Sequence, residues 1–352
     1  MVGITVTISL FLLPVGLWLQ GIIVLTTLKI FLAVLLFIYI VVPFVFRYTY
    51  ALQRTMIFLN FVRWPRNPDF NVPKKYGLDG TRNFYVKTTE DVQLGVWHTL
   101  PKSLINESKT ADDEFFEKSL TRGEPIILYM HGNSGSRASP HRVELYKMLR
   151  NLNYHVISFD YRSYADSSPV SPSETGVVSD GKFMYRWVEE HAKGSPLFVW
   201  GHSLGTGVSS HVLDLLAQEG KSPSGLILES PFNNLRDEIK EHPFARLFNQ
   251  LPWFDFFFID PIEQNDLLFA SDKHLVNVHC PILILHAQDD VVVPFILGQR
   301  LYKSLEQTRP KDAASVEFVI FEDKYRYGHK YICRAPELPD IIQKFLGSIL
   351  KS

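Results

Sequence analysis

The decapeptide FVWGHSLGTG, residues 198–207, sets Ser203 between two glycines at the end of an apolar run. Gly-x-Ser-x-Gly at a strand-to-helix junction is a nucleophile elbow: only glycine fits at Gly201 and Gly205, and the turn pushes the serine hydroxyl out above the sheet. The amino terminus of the helix that follows favours negative charge developing there. A neutral hydroxyl attacks poorly, so an imidazole must take its proton and a carboxylate must orient that imidazole. A chance turn of small residues would carry the same letters, so the partners have to be sought elsewhere in the chain.

On a sheet of this kind the partners follow in the order serine, acid, histidine. The apolar run ILILHAQDDVVVP ends in Asp289 and Asp290. Two adjacent carboxylates cannot both face one ring; Asp290, in a D-x-x-V-P ending, is the expected acid, and Asp289 is expected to face solvent. His329, in DKYRYGHKYI, is the only histidine after Asp290 and lies just beyond the last expected strand, where the base belongs. The oxyanion hole needs two backbone N–H groups. Leu204, next to the serine, and Asn133, in the HGNSG turn, are the expected donors. His131 precedes the serine and is expected only to stabilise that turn. Arg137, His141 and Arg142 read equally as contacts for an anionic head group or as solvated residues at a helix start.

The elements that must position these groups follow from apolar periodicity. NFYV (83–86) and VQLGVWHTL (92–100) read as an antiparallel hairpin. PIILYM, YHVISFD, PLFVWG, SGLILES, CPILILH and SVEFVIF are then apolar on both faces and alternate with amphipathic helical stretches starting near His141, Gly176, Ser203, Phe295 and Leu338. That rhythm implies an α/β fold: a mostly parallel sheet of about eight strands with helices on both faces. Residues 50–80 read as a connector over the surface, and 101–124 as a polar exposed excursion. No internal repeat interrupts the pattern.

The 352 residues, 46% of them hydrophobic, suit one large domain with an appendage. A formal charge of -1 leaves no footprint for nucleic acid. The two cysteines, Cys280 and Cys333, lack metal-ligand spacing and are expected to be free, buried thiols. No metal and no cofactor is expected.

From Met1 to Phe46 the chain is almost uninterrupted apolar, with Lys29 the only formal charge inside. About 20 such residues cross a bilayer, so this stretch is expected to be a membrane anchor of one long span or two short ones divided near Gln20-Gly21 or Lys29. A signal peptide would need a basic n-region and a shorter core. Arg47, Arg54, Arg63 and Arg66 would place the following residues in the cytosol. The sequon at Asn106 would place them in a lumen or outside. The two signals disagree. The expected organisation is an anchor at 1–48, a connector at 49–80 and a catalytic domain at 81–352 with a cap at about 231–278.

Together YMHGNSG, WGHSLGTG, LILESPFNN, LILHAQDDVVVPF and YGHKYI make the chain, from about residue 50 to its end, resemble one branch of the α/β-hydrolases. That branch holds the membrane-anchored lysophosphatidylserine lipases, which also cleave monoacylglycerols. The resemblance implies an α/β-hydrolase fold, a triad of Ser203, Asp290 and His329, and an integral protein of the endoplasmic reticulum membrane with a luminal, glycosylated catalytic domain. Where relatives read DYRGxGDS, this chain has DYRSYADS, with Ser163 and Ala165 in place of glycines. In the cap, Trp253, Phe254, Phe256, Phe257 and Phe258 crowd too closely for one buried helix face. They are expected to line an acyl channel or rest on the bilayer, which points to single-chain lipid esters as substrates. A protein S-acyl thioesterase would use the same acyl-enzyme from a cytosolic domain, and a silent membrane scaffold would keep the fold alone; the intact triad speaks against the scaffold.

Overall fold

Side chains alternate across a strand, and the eight strands sort their residues between two cores accordingly. The computed structural model describes residues 2–351 apart from 111, 244, 246, 247 and 250. Its strands are β1 (Thr81–Lys87), β2 (Gln93–Thr99), β3 (Ile126–Met130), β4 (His155–Phe159), β5 (Leu197–His202), β6 (Gly225–Glu229), β7 (Ile282–Ala287) and β8 (Val316–Phe321). They form one sheet in the order β1-β2-β4-β3-β5-β6-β7-β8. β1 and β2 pair antiparallel, as do β2 and β4; every later pairing is parallel. On one face Ile126, Leu128 and Met130 meet Val177, Val208 and Leu297 of the helices Glu174–Ala192, Leu204–Ala217 and Phe295–Thr308. On the other, Ile127 and Tyr129 meet Tyr146 and Ile342 of Pro140–Asn151 and Leu338–Leu350. Helices on both faces are what a parallel sheet requires, since neither face is polar.

After β3 the chain goes outward to β4 and then returns past β3 to β5. Such a reversal leaves a crevice at the carboxyl ends of the two central strands. The loop after β3 and the elbow after β5 both open there.

Two stretches differ from their sequence reading. Residues 50–80 begin not as a surface connector but as a helix, Tyr50–Phe58, that buries Gln53 and Phe58 completely. The carbonyl of Phe58 accepts from Tyr164 Oη and from the Ser134 backbone, and that of Val62 accepts from Gly135 N, so this segment is stitched to the loop after β3. The excursion at 101–124 contains a helix, Asp113–Ser119, capped by Asp112, whose Phe116 packs with Leu100 and Leu104. Both helices are short enough that their few apolar positions give no clear period.

At the amino terminus, Val2–Leu19 and Leu25–Tyr48 are helical, separated by a turn at Gln20-Gly21. The break falls there and not at Lys29, which lies inside the second helix. Leu25–Tyr48, with 24 residues and a mean hydropathy of 2.7, is long and apolar enough to cross a membrane.

The loop after β4 shows why the missing glycines matter. Ser163 and Ala165 have φ of 69° and 50°, a left-handed region that costs a residue with a Cβ about 1 kcal/mol or more. Ser163 Oγ is held by Asn60 Nδ2 at 2.6 Å. Ala165→Gly should therefore raise the unfolding free energy of the detergent-solubilised protein, by less than about 1 kcal/mol once the glycine's extra unfolded-state entropy is set against the relief, and with it the thermal-unfolding midpoint. A lowered midpoint would show that the loop carries no such strain.

Candidate active site

β5 ends in His202, and Ser203 begins the helix Leu204–Ala217 with φ 54° and ψ −123°. A non-glycine residue held there is strained, and such strain gathers at functional sites. The flanking glycines are sterically required. A Cβ on Gly201 would lie 2.5 Å from Gly205 O, and one on Gly205 would lie 2.0 Å from Met130 O. The loop after β3 comes equally close, since a Cβ on Gly132 would sit 2.9 Å from Ser203 Cβ. Asn133, half-buried, continues that loop, and Leu204, buried, is the first residue of the helix. The Ser203 N–H donates to Glu229 O at 3.0 Å, which fastens the elbow to β6.

Asp290 follows β7 and His329 follows β8, so both reach the same carboxyl edge of the parallel strands as Ser203. Asp290 Oδ2 and His329 Nδ1 are 2.8 Å apart, with both residues buried. Asp290 Oδ1 accepts the backbone N–H groups of Val292 and Val293, each at 2.9 Å. Burial would raise the Asp290 carboxyl, but its pairing with His329 and hydrogen bonds from His286 and His329 outweigh it and hold the group well below the usual carboxylate range. A carboxylate only accepts, so His329 Nδ1 carries a proton and its Nε2 lone pair is left for other work.

Asp289 does not simply face solvent. Its two carboxylate oxygens accept the Gly328 N–H at 3.1 and 3.0 Å, because the chain folds back over the acid turn just before His329. The head-group reading of the helix start is also corrected. Arg137 is fully buried between Asp160 and Asp166, and Arg142 donates to the carbonyls of Gly132, Ser134 and Ser136. Both arginines turn inward because buried acceptors await them. His141 is held far below the ordinary imidazole range by burial and by Arg142, and so carries no charge for an anion. His131, fully buried, bonds Gly132 O through Nδ1 at 2.6 Å and stays in the turn.

Of the five aromatics at 253–258, Phe254 is buried, while Trp253 and Phe256 are 40% and 45% exposed. Phe257 meets Phe44 at 4.9 Å and Phe258 meets Phe46 at 5.3 Å between ring centroids. Arg47 lies 3.7 Å over the Phe256 ring and donates to its carbonyl. These rings bind the excursion to the end of the long apolar helix. The cysteines are unpaired; Cys280 is buried, which pushes its thiol up to about 12, and Cys333 is half-buried. Glu174, His211 and His274 could offer ligand atoms within 4.8 Å of one another. The fit to a cation is poor. Both imidazoles already spend Nδ1 on carboxylates, Glu174 and Asp214, and their rings stack face to face at 4.0 Å and 15°.

Glu229 was not singled out by sequence, although an acid closing the apolar run LILE is a signal. Buried at the end of β6, it accepts Trp200 Nε1–H at 2.9 Å, and burial pushes its carboxyl from 4.5 to about 7, helped by the charge on Asp290. The folded protein then holds one more proton than the unfolded chain between about pH 4.5 and 7, so this group's contribution to stability falls as pH rises through that window. Glu229→Gln keeps the acceptor for Trp200 and should flatten that slope, with a melting midpoint above wild type at pH 8 and no gain at pH 5. Parallel pH–stability curves for the two proteins would contradict the assignment.

Comparison with known proteins agrees with this geometry. Residues 125–274 match the model of the alpha/beta hydrolase fold. The chain is 46% identical over 312 residues to the lysophosphatidylserine lipase ABHD12 of Danio rerio, covering 89% of this chain and 81% of that one. It is 44% identical over 333 residues to that of Xenopus tropicalis, covering 95% and 84%. Protein ABHD12B of Homo sapiens is 32% identical over 292 residues, covering 83% and 79%. Among solved structures, an alpha-beta hydrolase from Vibrio vulnificus superposes with a TM-score of 0.61 at 16% identity, covering 83% of this chain and 92% of that one, which speaks to the fold alone. With the sheet, the elbow and relatives of this similarity in hand, the chain belongs to the ABHD12 family of α/β-hydrolases and is a serine hydrolase.

Proposed function

We propose that the protein is a membrane-anchored lipase that cleaves the acyl esters of single-chain lipids, lysophosphatidylserine and other lysophospholipids as well as monoacylglycerols, through an acyl-serine intermediate. The observation that carries the reading is the 2.8 Å bond between His329 and Asp290 at the sheet edge where Ser203 stands. In the first half-reaction Ser203 Oγ forms a bond to the carbonyl carbon while its proton passes to His329 Nε2. The oxyanion is held by the N–H groups of Asn133 and Leu204. The intermediate collapses, the bond to the leaving alcohol breaks, and His329 returns the proton to that alcohol. Water then takes the alcohol's place, gives a proton to His329, and attacks the acyl carbon. Ser203 leaves with the proton and the fatty acid is released.

The substrate class is supported by the names of the relatives and by the aromatic excursion seated on the apolar helix. Residues 1–48 serve as the anchor, 49–80 as the connector and 81–352 as the catalytic domain, with 231–278 as its cap and the bilayer as its partner. The endoplasmic reticulum lumen is the proposed side of the catalytic domain. Asn106 is exposed on a turn and open to glycosylation.

Membranes carrying wild type should hydrolyse lysophosphatidylserine and monoacylglycerol and label with a fluorophosphonate. Ser203→Ala should lose at least about 1,000-fold in hydrolysis and all labelling. Equal hydrolysis by the two proteins would end the acyl-serine reading. Glycosidase treatment should shift the mobility of wild type but not of Asn106→Gln; an unshifted wild type would remove the support that Asn106 gives the luminal side.

A further inference from the structure

We infer that Asp289 and His202, the chain neighbours of Asp290 and Ser203, are positioning residues that hold the backbone of His329. The inference rests on the reading of His329 as the base. Asp289 accepts the Gly328 N–H with both oxygens, at 3.1 and 3.0 Å. On the other side, His202 Nε2 lies 2.9 Å from the carbonyl oxygen of His329. A carbonyl cannot donate, so His202 Nε2 carries a proton, and its buried Nδ1 is left with no partner in the structure. The His202 ring also rests 4.9 Å from the ring of His329. Burial keeps His202 neutral, so it can serve as a donor without a repelling charge beside the base.

The need for such a hold follows from the loop. Past β8 the chain has no ladder to lean on, and Arg326 and Gly328 both adopt positive φ, at 56° and 52°. One hydrogen bond to Asp290 fixes Nδ1 but leaves the ring free to pivot about that contact. Fixing the peptide before Gly328 and the peptide after His329 pins Cα as well, and Nε2 is then set in direction. Misplacement of a reacting group by about 1 Å can cost on the order of 100-fold in rate. The fasteners also sit on the two other members of the constellation: a shift of the acid turn moves Asp289, and a shift of the elbow moves His202. The base is thereby kept in register with both.

The test uses the full-length protein in membranes, with a fluorophosphonate reporting both the number of competent sites and their rate. Asp289→Ala should label to full amplitude at a rate lowered about 10- to 100-fold, and hydrolysis should lose kcat with KM nearly unchanged. Asp289→Asn retains one carbonyl acceptor and should restore most of the rate with the pH profile unmoved. His202→Gln, which keeps a donor near the same place, should outperform His202→Phe by the same measure. A reduced amplitude at wild-type rate would mean that Asp289 only supports folding, and an Asn variant as slow as Ala would mean that charge and not the backbone hold matters; either overturns the proposal. His329→Ala runs in parallel. If it is inert while Asp289→Ala labels at the wild-type rate, the positioning role alone fails. If it labels like wild type, the base assignment beneath it fails as well.

Discussion

Just past β5, in the first turn of the helix Leu204–Ala217, a methyl group on Gly205 would lie 2.0 Å from the carbonyl oxygen of Met130, at the end of β3. This closeness of two backbones is the constraint around which the site is built. It brings the amino terminus of the helix Leu204–Ala217 against the loop that starts at His131, so that the turn holding Ser203 and the turn holding Asn133 share one crevice. A side chain at either glycine of the elbow would separate the strands or turn the serine away. Overpacking on this scale is relieved only by backbone movement, and the strands here are parallel, buried on both faces and paired on both sides.

Much of the sheet was legible because its signals are local. A buried parallel strand needs a short apolar run, and each of the eight runs named from sequence lies on a strand, with ends differing by at most two residues. The order serine, acid, histidine needs only the chain direction. Ser163 and Ala165 could be flagged as residues where glycine is usual, and both prove to have positive φ. Charge was harder. Arg137 and Arg142 have the composition of a solvated helix start, yet a guanidinium is buried whenever the fold supplies carboxylates or carbonyls to meet it, and Asp160, 23 residues further on, gives no local hint that it will.

The join between the apolar helices and the sheet was hidden for a related reason. Gln53 is fully buried, donates to the carbonyls of Phe46 and Arg47, and accepts from Asn265 Nδ2 at 3.0 Å. Asn265 in turn donates to the Tyr50 carbonyl and accepts from Arg54. Polar side chains in a stretch rich in arginine and proline read as surface. Here they satisfy backbone groups at the end of the long helix, where carbonyls lack intrahelical partners. With the Phe44–Phe257 and Phe46–Phe258 contacts, this network makes the excursion between β6 and β7 and the end of that helix one packed unit. A buried amide network with its partners in place rigidifies what it joins, so where the excursion sits is set by where the apolar helix ends.

The neighbours of reactive residues were the least legible of all. Two adjacent aspartates, or a histidine beside a serine, look redundant in sequence, since only one of each pair can face the crevice. Around a sharp turn adjacent side chains diverge, and the one that points away still has to satisfy its polar atoms. Asp289 does so on Gly328, His202 on His329, and His286, four residues before Asp290, on the Val293 carbonyl at 3.0 Å. In each case the acceptor or donor is main chain within the acid or histidine loop. Past the ladder the histidine loop leans on side chains from the ends of β5 and β7. Asp289 and His202, which hold the histidine loop, stand directly beside Asp290 and Ser203 at those strand ends.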